Sequence, residues 1–240
     1  MPHSTPNQTS RVRTVFDDWA VRGRAEGMER GHGPVARKAF HHLGLKPDSW
    51  YLDVGCGNGY TVRWAAEDAP DGKAFGLDVA PEMIARAEEM SQGVANAEFH
   101  VATFPDHDLP LGRFDAIFSM EVLYYLPSLS EALEEVARLL TPGGRFVCVV
   151  DFYQENSASH SWPEDVGVAM RLLSASQWRQ AFEDAGLKVI EQGRVTLPPE
   201  QATEGWKVDV GSLMTVGVSE GESEDESEGS EGSGSGGGRR

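Results

Sequence analysis

The chain has 240 residues, a length that suits one large α/β domain or two small ones. Acidic residues outnumber basic ones 38 to 21, and the net charge of −17 argues against a broad basic surface for nucleic acid or anionic lipid. The sequence contains no apolar run long enough to span a membrane and no secretory signal, so we expect a cytoplasmic protein.

The basic residues are mostly of one kind, because sixteen are arginine and only five are lysine. An acidic, lysine-poor chain is typical of proteins from a salt-rich cytosol, where the Debye length falls to about 3 Å near 1 M salt and self-repulsion is screened. We therefore predict a halophilic protein, the alternative being a mesophilic protein with an acidic tail. The two cysteines, Cys56 and Cys148, have no ligand-like spacing, so no metal site is predicted.

Composition divides the chain into three parts. We predict a flexible N-terminus over residues 1–10, a folded domain over 11–218 whose residues 11–44 form a helical lid, and a disordered acidic, Gly/Ser-rich tail over 219–240. Within the domain, seven strands are predicted, at 49–54, 73–78, 98–103, 114–119, 145–150, 187–194 and 206–216. Helices are predicted at 12–20, 35–43, 61–68, 81–90, 130–140 and 176–186.

The alternation of strands and helices predicts a doubly wound α/β fold with a mostly parallel sheet. The last two predicted strands are joined by only eleven residues, which include Pro198 and Pro199. A parallel crossover needs a dozen or more residues and usually a helix. We therefore expect an antiparallel pair of strands at one end of the sheet.

A glycine cluster follows the first predicted strand, in the sequence Asp53-Val54-Gly55-Cys56-Gly57-Asn58-Gly59. Glycines let a backbone come close to a ligand, and the next helix begins with free amide donors and a partial positive charge. Asp78 ends the second strand, where an acid can accept both hydroxyls of a ribose.

A dinucleotide-dependent dehydrogenase is the first alternative for this loop. Its pattern is G-x-G-x-x-G, whereas the spacing here is G-x-G-x-G with Asp53 two residues before the first glycine. The Asp53 carboxylate would repel a pyrophosphate but can help to hold a cationic amino group. The ligand should therefore carry an adenosine ribose and an amino acid.

Four sequence stretches, with their order and spacing, identify a family: YLDVGCGNGY at 51–60, GLDVAPEMIARAEEM at 76–90, RFDAIFSMEVLYYL at 113–126 and LLTPGGRFVCVVDF at 139–152. In these stretches the chain resembles the class I S-adenosylmethionine-dependent methyltransferases (type 11-like), and the resemblance covers roughly residues 45–218. The resemblance implies a seven-stranded Rossmann-like sheet with the last strand antiparallel. It also implies S-adenosyl-L-methionine as cofactor and methyl transfer as the reaction.

The resemblance further implies a set of cofactor-binding positions: Asp53 near the ammonium group, Gly55, Cys56 and Gly57 along the methionine part, Asp78 at the ribose, Val79, Met83, Thr103 and Phe104 around the adenine, and Ser119 and Met120 beyond the sulfonium. Many family members carry an acid where this chain has Thr103. That departure bears on cofactor affinity.

The sequence says less about the methyl acceptor than about the cofactor, because methyl transfer from a sulfonium mainly requires alignment of the reactants and exclusion of water. Asp151 ends the fifth strand and could orient an amine or act as a base, a loop cap being the alternative. Tyr124 could stack on a flat acceptor, with packing as the alternative. Glu121 would also face the methyl group.

The N-terminal forty residues carry a net charge of +3, so a lid would bring Arg22, Arg24 and His32 to the rim of the site. An anionic acceptor such as RNA or a carboxylate metabolite is one hypothesis, and a solvated helix face is the alternative. The acceptor class stays open among RNA, protein and small molecules.

The resemblance also implies that the third strand, EFHVATF, lies at an edge of the sheet, where an exposed apolar strand invites strand addition. Some translation-related methyltransferases bind a small zinc-binding activator through that edge, and the resemblance suggests such a heterodimer here. The other function class is a scaffold of the same fold that binds the cofactor, or nothing, without catalysis.

Overall fold

A computed structural model describes residues 7–220 as a seven-stranded sheet with helices packed on both faces. The strands are β1 (Trp50–Val54), β2 (Lys73–Asp78), β3 (Ala97–Val101), β4 (Phe114–Met120), β5 (Leu140–Val150), β6 (Leu187–Val195) and β7 (Ser212–Ser219). The helices are α1 (Gln8–Val21), α2 (Ala25–Phe40), α3 (Tyr60–Asp68), α4 (Pro81–Met90), α5 (Leu129–Leu139), α6 (Trp162–Val166), α7 (Ala175–Asp184) and α8 (Trp206–Asp209).

The strand order is β3-β2-β1-β4-β5-β7-β6. Strands β1 to β5 run parallel, and β7 is antiparallel to both of its neighbours, β5 and β6. The predicted doubly wound, mostly parallel sheet and its antiparallel end are therefore confirmed. The chain order reverses between β1 and β4, and in sheets of this kind ligands bind in the crevice at that point.

Alternate residues of β1 face opposite sides of the sheet. Tyr51 packs into the hydrophobic cluster that contains Ala39 of α2 and Val62 of α3. Leu52 packs into the other cluster, with Leu133 of α5. A strand that is buried on both faces needs a nearly continuous apolar sequence, and β1, with the sequence WYLDV, has one apart from Asp53.

The last predicted strand begins too early. Residues 206–216 were expected as one strand, but Trp206–Asp209 form α8, and β7 starts only at Ser212. Gly211, with φ +80°, makes the turn between the helix and the strand. The apolar alternation in this stretch suited a strand, but α8 forms instead and its Lys207 side chain is buried inside the protein.

Both ends of the domain also differ from the expected boundaries. Helix α1 begins at Gln8, within the segment predicted to be flexible, while residues 1–6 lie outside the described part. Helix α2 begins ten residues before the predicted start and contains Pro34. Proline removes one helical hydrogen bond, and the buried turn that follows it holds the helix against the core. Ser219 ends β7, and residues 221–240 of the expected tail lie outside the described residues.

Candidate active site

A cavity of about 580 Å³ lies where the carboxyl ends of β1, β2, β4 and β5 meet. This volume falls within the range of roughly 300–1,000 Å³ that is usual for small-molecule sites. Helices α1 and α2 form part of its wall through Phe16, Trp19 and Met28, so the N-terminal helices cover the site as a lid would.

The glycine loop is held open toward this cavity. The backbone N–H groups of Gly55 and Cys56 both donate to the Leu77 carbonyl, at 2.8 and 2.9 Å, and this ties the loop to the end of β2. A Cβ on Gly55 would lie 2.2 Å from Val122, whereas a Cβ on Gly57 would meet no atom within 4 Å. Gly57 has φ +53°, so its backbone faces free space that a ligand can fill.

Two acids stand beside the loop. Asp78 accepts hydrogen bonds from the N–H groups of Gly57 (3.0 Å) and Ala80 (2.9 Å), and burial raises its pKa to about 6. Asp53 accepts a hydrogen bond from the Thr61 hydroxyl, and burial raises its pKa to about 7. A buried carboxyl with a raised pKa becomes more readily ionised when a cation binds beside it. The pair therefore fits a ligand with ribose hydroxyls and an ammonium group.

The residues that the resemblance implies around the adenine, Val79, Met83, Thr103 and Phe104, all line the cavity. Met120, expected beyond the sulfonium, lines it from the end of β4. The Phe104 ring is buried and stacks on His107, with ring centroids 5.5 Å apart. These residues come from separate segments of the chain, and the fold brings them to the same cavity.

Ser119 is the exception among the predicted cofactor residues. It is fully buried, donates its hydroxyl hydrogen to the Val54 carbonyl at 2.9 Å, and is absent from the cavity wall. Its neighbours Phe118 and Met120 do line the cavity. Side chains alternate along a strand, so Ser119 must point to the opposite face.

Buried polar groups gather at the other end of the cavity, beyond β4 and β5. Glu121 accepts hydrogen bonds from the Tyr124 hydroxyl, at 2.8 Å, and from the Asp151 backbone N–H. Its backbone is left-handed, with φ +61°, a strained conformation that is often found at functional sites. Burial and the nearby Asp151 raise the pKa of Glu121 well above its usual range.

Lys207 is the functional candidate that the sequence did not reveal. Its side chain is buried, its ammonium group donates to the Gly31 carbonyl at 2.8 Å, and it lies 3.7 Å from Asp151 Oδ2. Burial raises the pKa of the Asp151 carboxyl, while Lys207 and the Ser212 hydroxyl oppose that rise. The only signal in the sequence was a rare lysine within an apolar stretch.

Of the two lid arginines expected at the rim of the site, only one lines the cavity. Arg24 lines the cavity and lies over the Trp19 ring, at 4.9 Å from its centroid. Arg22 is exposed, pairs with Asp18 at 2.8 Å, and does not line the wall. Desolvation and the nearby Lys207 lower the pKa of His32 to about 4, so its imidazole is neutral near pH 7.

Within residues 7–220, no group of three or more His, Cys, Asp and Glu side chains has the arrangement of a metal site. None of the helices in that part of the chain is both long and apolar enough to cross a bilayer. Cys56 and Cys148 are both free and buried.

Residues 45–186 match a family model described as a methyltransferase domain. The chain belongs to this methyltransferase family. The chain is also similar to the methyltransferase in the solved complex with the Haloferax volcanii Trm112 methyltransferase activator. The two are 35% identical, with a TM-score of 0.77, over 86% of this chain and 98% of that one. The predicted family, class I S-adenosylmethionine-dependent methyltransferases, is confirmed, and with it the cofactor that the family uses.

Other methyltransferases share less of the chain. An arsenite methyltransferase of Halobacterium salinarum is 26% identical over 211 residues, which are 82% of this chain and 51% of that protein. The chain spans about half the length of the curated relatives it matches first. A geranyl diphosphate C-methyltransferase of Streptomyces coelicolor, solved with S-adenosyl-L-homocysteine, shares the fold, with a TM-score of 0.67 and 17% identity over 78% of this chain and 80% of that one.

Proposed function

We propose that the protein is an S-adenosylmethionine-dependent methyltransferase whose cofactor lies along the glycine loop. One observation carries the proposal: a single cavity joins the open backbone of Gly57 and the acids Asp53 and Asp78 to the buried Asp151. When bound, S-adenosylmethionine supplies a methyl group on a positively charged sulfur. In this proposal Asp78 accepts the ribose hydroxyls, and Asp53 faces the ammonium group.

The chain's own residues then have distinct tasks at the acceptor end. Asp151 orients the acceptor or takes its proton, since neither of its carboxylate oxygens has a hydrogen-bond partner. Tyr124 already donates to Glu121, so its task is to position Glu121 rather than to move a proton itself. The lid helices exclude water, which strengthens the electrostatic interactions inside.

The cofactor site is tested by calorimetry with S-adenosyl-L-homocysteine. Asp78→Asn removes the negative charge of the carboxylate that would accept the two ribose hydroxyls. It should therefore weaken binding of S-adenosyl-L-homocysteine about tenfold or more. Asp68→Asn is the matched control, because Asp68 is exposed at the far end of α3. Equal affinities for the two variants would contradict the assignment of Asp78.

Catalysis needs a separate test, because a silent scaffold of this fold would also bind the cofactor. The full chain is incubated with radiolabelled S-adenosylmethionine and with fractionated RNA, protein and metabolite pools. Label that enters any pool supports an enzyme, and label that is lost in Asp151→Asn supports the acceptor end described above. Tight binding without transfer to any pool would favour the scaffold.

We also propose that a small zinc-binding activator subunit adds to the β3 edge. Strand β3 is an edge of the sheet and leaves Val101 49% exposed. An unpaired strand edge with an exposed apolar side chain is a site for strand addition. The similar methyltransferase from the Trm112 complex supports a partner of this kind.

The partner is tested by coexpression with the Haloferax volcanii Trm112 activator and by gel filtration. Val101→Glu should abolish coelution, because a charge would be buried at the joined edge. Ile190→Glu is the matched control, since Ile190 is 50% exposed on β6 at the opposite edge of the sheet. Loss of coelution in both variants, or in neither, would contradict the β3 edge as the interface.

Finally, we propose that the protein works in a salt-rich cytoplasm. The net charge of −17 and the scarcity of lysine support salt adaptation, and the free thiols of Cys56 and Cys148 support a reducing compartment. The melting temperature should rise as KCl is raised from about 0.1 to 1 M, because the Debye length shortens from about 10 to 3 Å. A flat or falling melting temperature would contradict salt adaptation.

A further inference from the structure

The acceptor end of the cavity contains one buried cation and one buried anion that form an ion pair without a hydrogen bond between them. Lys207 is 2% exposed and Asp151 is 1% exposed. Their closest charged atoms are 3.7 Å apart, which suits an ion pair but is too long for a hydrogen bond. Both residues line the cavity, and their side chains are only 3% and 1% exposed, so the two charges lie just behind its surface.

Each partner keeps unused hydrogen-bonding capacity. The Lys207 ammonium group has three N–H donors, of which the Gly31 carbonyl takes one. Neither carboxylate oxygen of Asp151 has a partner within hydrogen-bond distance, although the Ser212 hydroxyl and Lys207 lie beside them. Buried polar groups are normally paired, so this pair in a cavity wall suits a ligand group that completes its hydrogen bonds.

We propose, on the basis of the methyltransferase function above, that Lys207 and Asp151 together bind the acceptor's nucleophilic hydroxyl. A hydroxyl both accepts and donates a hydrogen bond. Its oxygen accepts from Lys207, and its hydrogen is donated to Asp151. A carboxylate would be repelled by Asp151, and an ether could donate nothing to it.

The same pair explains how the hydroxyl becomes reactive. As the hydroxyl oxygen bonds to the methyl carbon, the carbon–sulfur bond breaks and its electron pair stays on sulfur. The hydroxyl proton passes to Asp151, whose raised pKa suits it to hold that proton. Lys207 stabilises the negative charge that develops on the oxygen. The products are a methyl ether and S-adenosylhomocysteine.

The surrounding side chains select a small, ring-shaped acceptor. The Lys207 ammonium group lies 5.2 Å from the centroid of the Trp206 ring, and Trp162 packs edge-on against Trp206 at 6.3 Å. Seven acids and only two charged bases line the cavity, so a polyanion such as RNA is repelled. The acceptor we infer is therefore a small molecule with a hydroxyl on a flat ring.

The test uses four probes that share one ring: phenol, anisole, aniline and benzoate. Each is titrated by ligand-observed NMR into the complex of the full chain with S-adenosyl-L-homocysteine. Phenol should bind about tenfold or more tightly than anisole, since hydrogen bonds to charged groups contribute that much. Binding of anisole, aniline or benzoate as tightly as phenol would overturn the proposal.

Variants of Lys207 and Asp151 test whether these two residues bind the hydroxyl. Asp151→Ala should remove the preference for phenol over anisole, because the group that accepts the hydroxyl hydrogen is gone, while the affinity for S-adenosyl-L-homocysteine stays unchanged. Lys207→Met should weaken phenol and anisole alike, since both oxygens accept from the ammonium group, and Lys207→Arg should restore part of that binding because it keeps the charge. A preference that survives in Asp151→Ala would overturn the proposal even if Lys207→Met fails to fold. A chain that does not bind S-adenosyl-L-homocysteine at all would contradict the proposed function instead.

Discussion

Replacement of Gly57 by alanine separates the cofactor-binding role of the glycine loop from its conformational role. Gly57 has φ +53° and Gly93 has φ +89°, and a Cβ on either would meet no protein atom within 4 Å. Only Gly57 lines the cavity. The left-handed conformation costs alanine about 1–2 kcal/mol at each position. In a domain of this size the melting temperature should fall by about 2–8 °C in both variants.

Binding should distinguish the two variants. If the cofactor packs against the Gly57 backbone, the added methyl group overfills that contact at a cost of about 1–3 kcal/mol. The dissociation constant for S-adenosyl-L-homocysteine should then rise roughly 5- to 150-fold in Gly57→Ala and stay unchanged in Gly93→Ala. Calorimetry measures the affinity and thermal unfolding measures the stability. Wild-type affinity in Gly57→Ala, with equal stability losses in both variants, would refute the reasoning.

Two further predictions concern buried polar groups. Because burial raises the pKa of Asp53 to about 7, affinity for S-adenosylmethionine should fall as the pH drops through that value, and Asp53→Asn should make this fall smaller in calorimetric titrations. The raised pKa also means that the free protein loses stability as the pH rises from about 4 to about 7, and unfolding experiments on Asp53→Asn should show a smaller loss, the remainder coming from other buried acids such as Asp78. Ser119→Ala should lower the free energy of unfolding by about 1–3 kcal/mol, because the buried Val54 carbonyl loses its hydrogen-bond donor. The affinity for S-adenosyl-L-homocysteine should stay unchanged. A weakened affinity would show that Ser119 belongs to the cofactor site.

Local sequence was enough for the sheet. The glycine loop follows β1 directly and Asp78 ends β2, and parallel strands bring their carboxyl ends to the same edge. The strand pattern therefore places these residues together, and their roles toward the cofactor stay predictions. Ser119 lies off the cavity wall, because a difference of one residue in a strand reverses the direction of the side chain.

The acceptor end depended on tertiary structure. Lys207 donates to Gly31, 176 residues away in the chain, and faces Asp151 at the end of β5. Residues 206–209 form a helix whose lysine is buried in the cavity wall, although their alternating pattern suited a strand. Motif and periodicity describe neighbours along the chain, so the sequence by itself determined the family, the sheet and the glycine loop. Which charges meet across the cavity was decided only when distant segments packed together, because that pairing depends on contacts that no local pattern encodes.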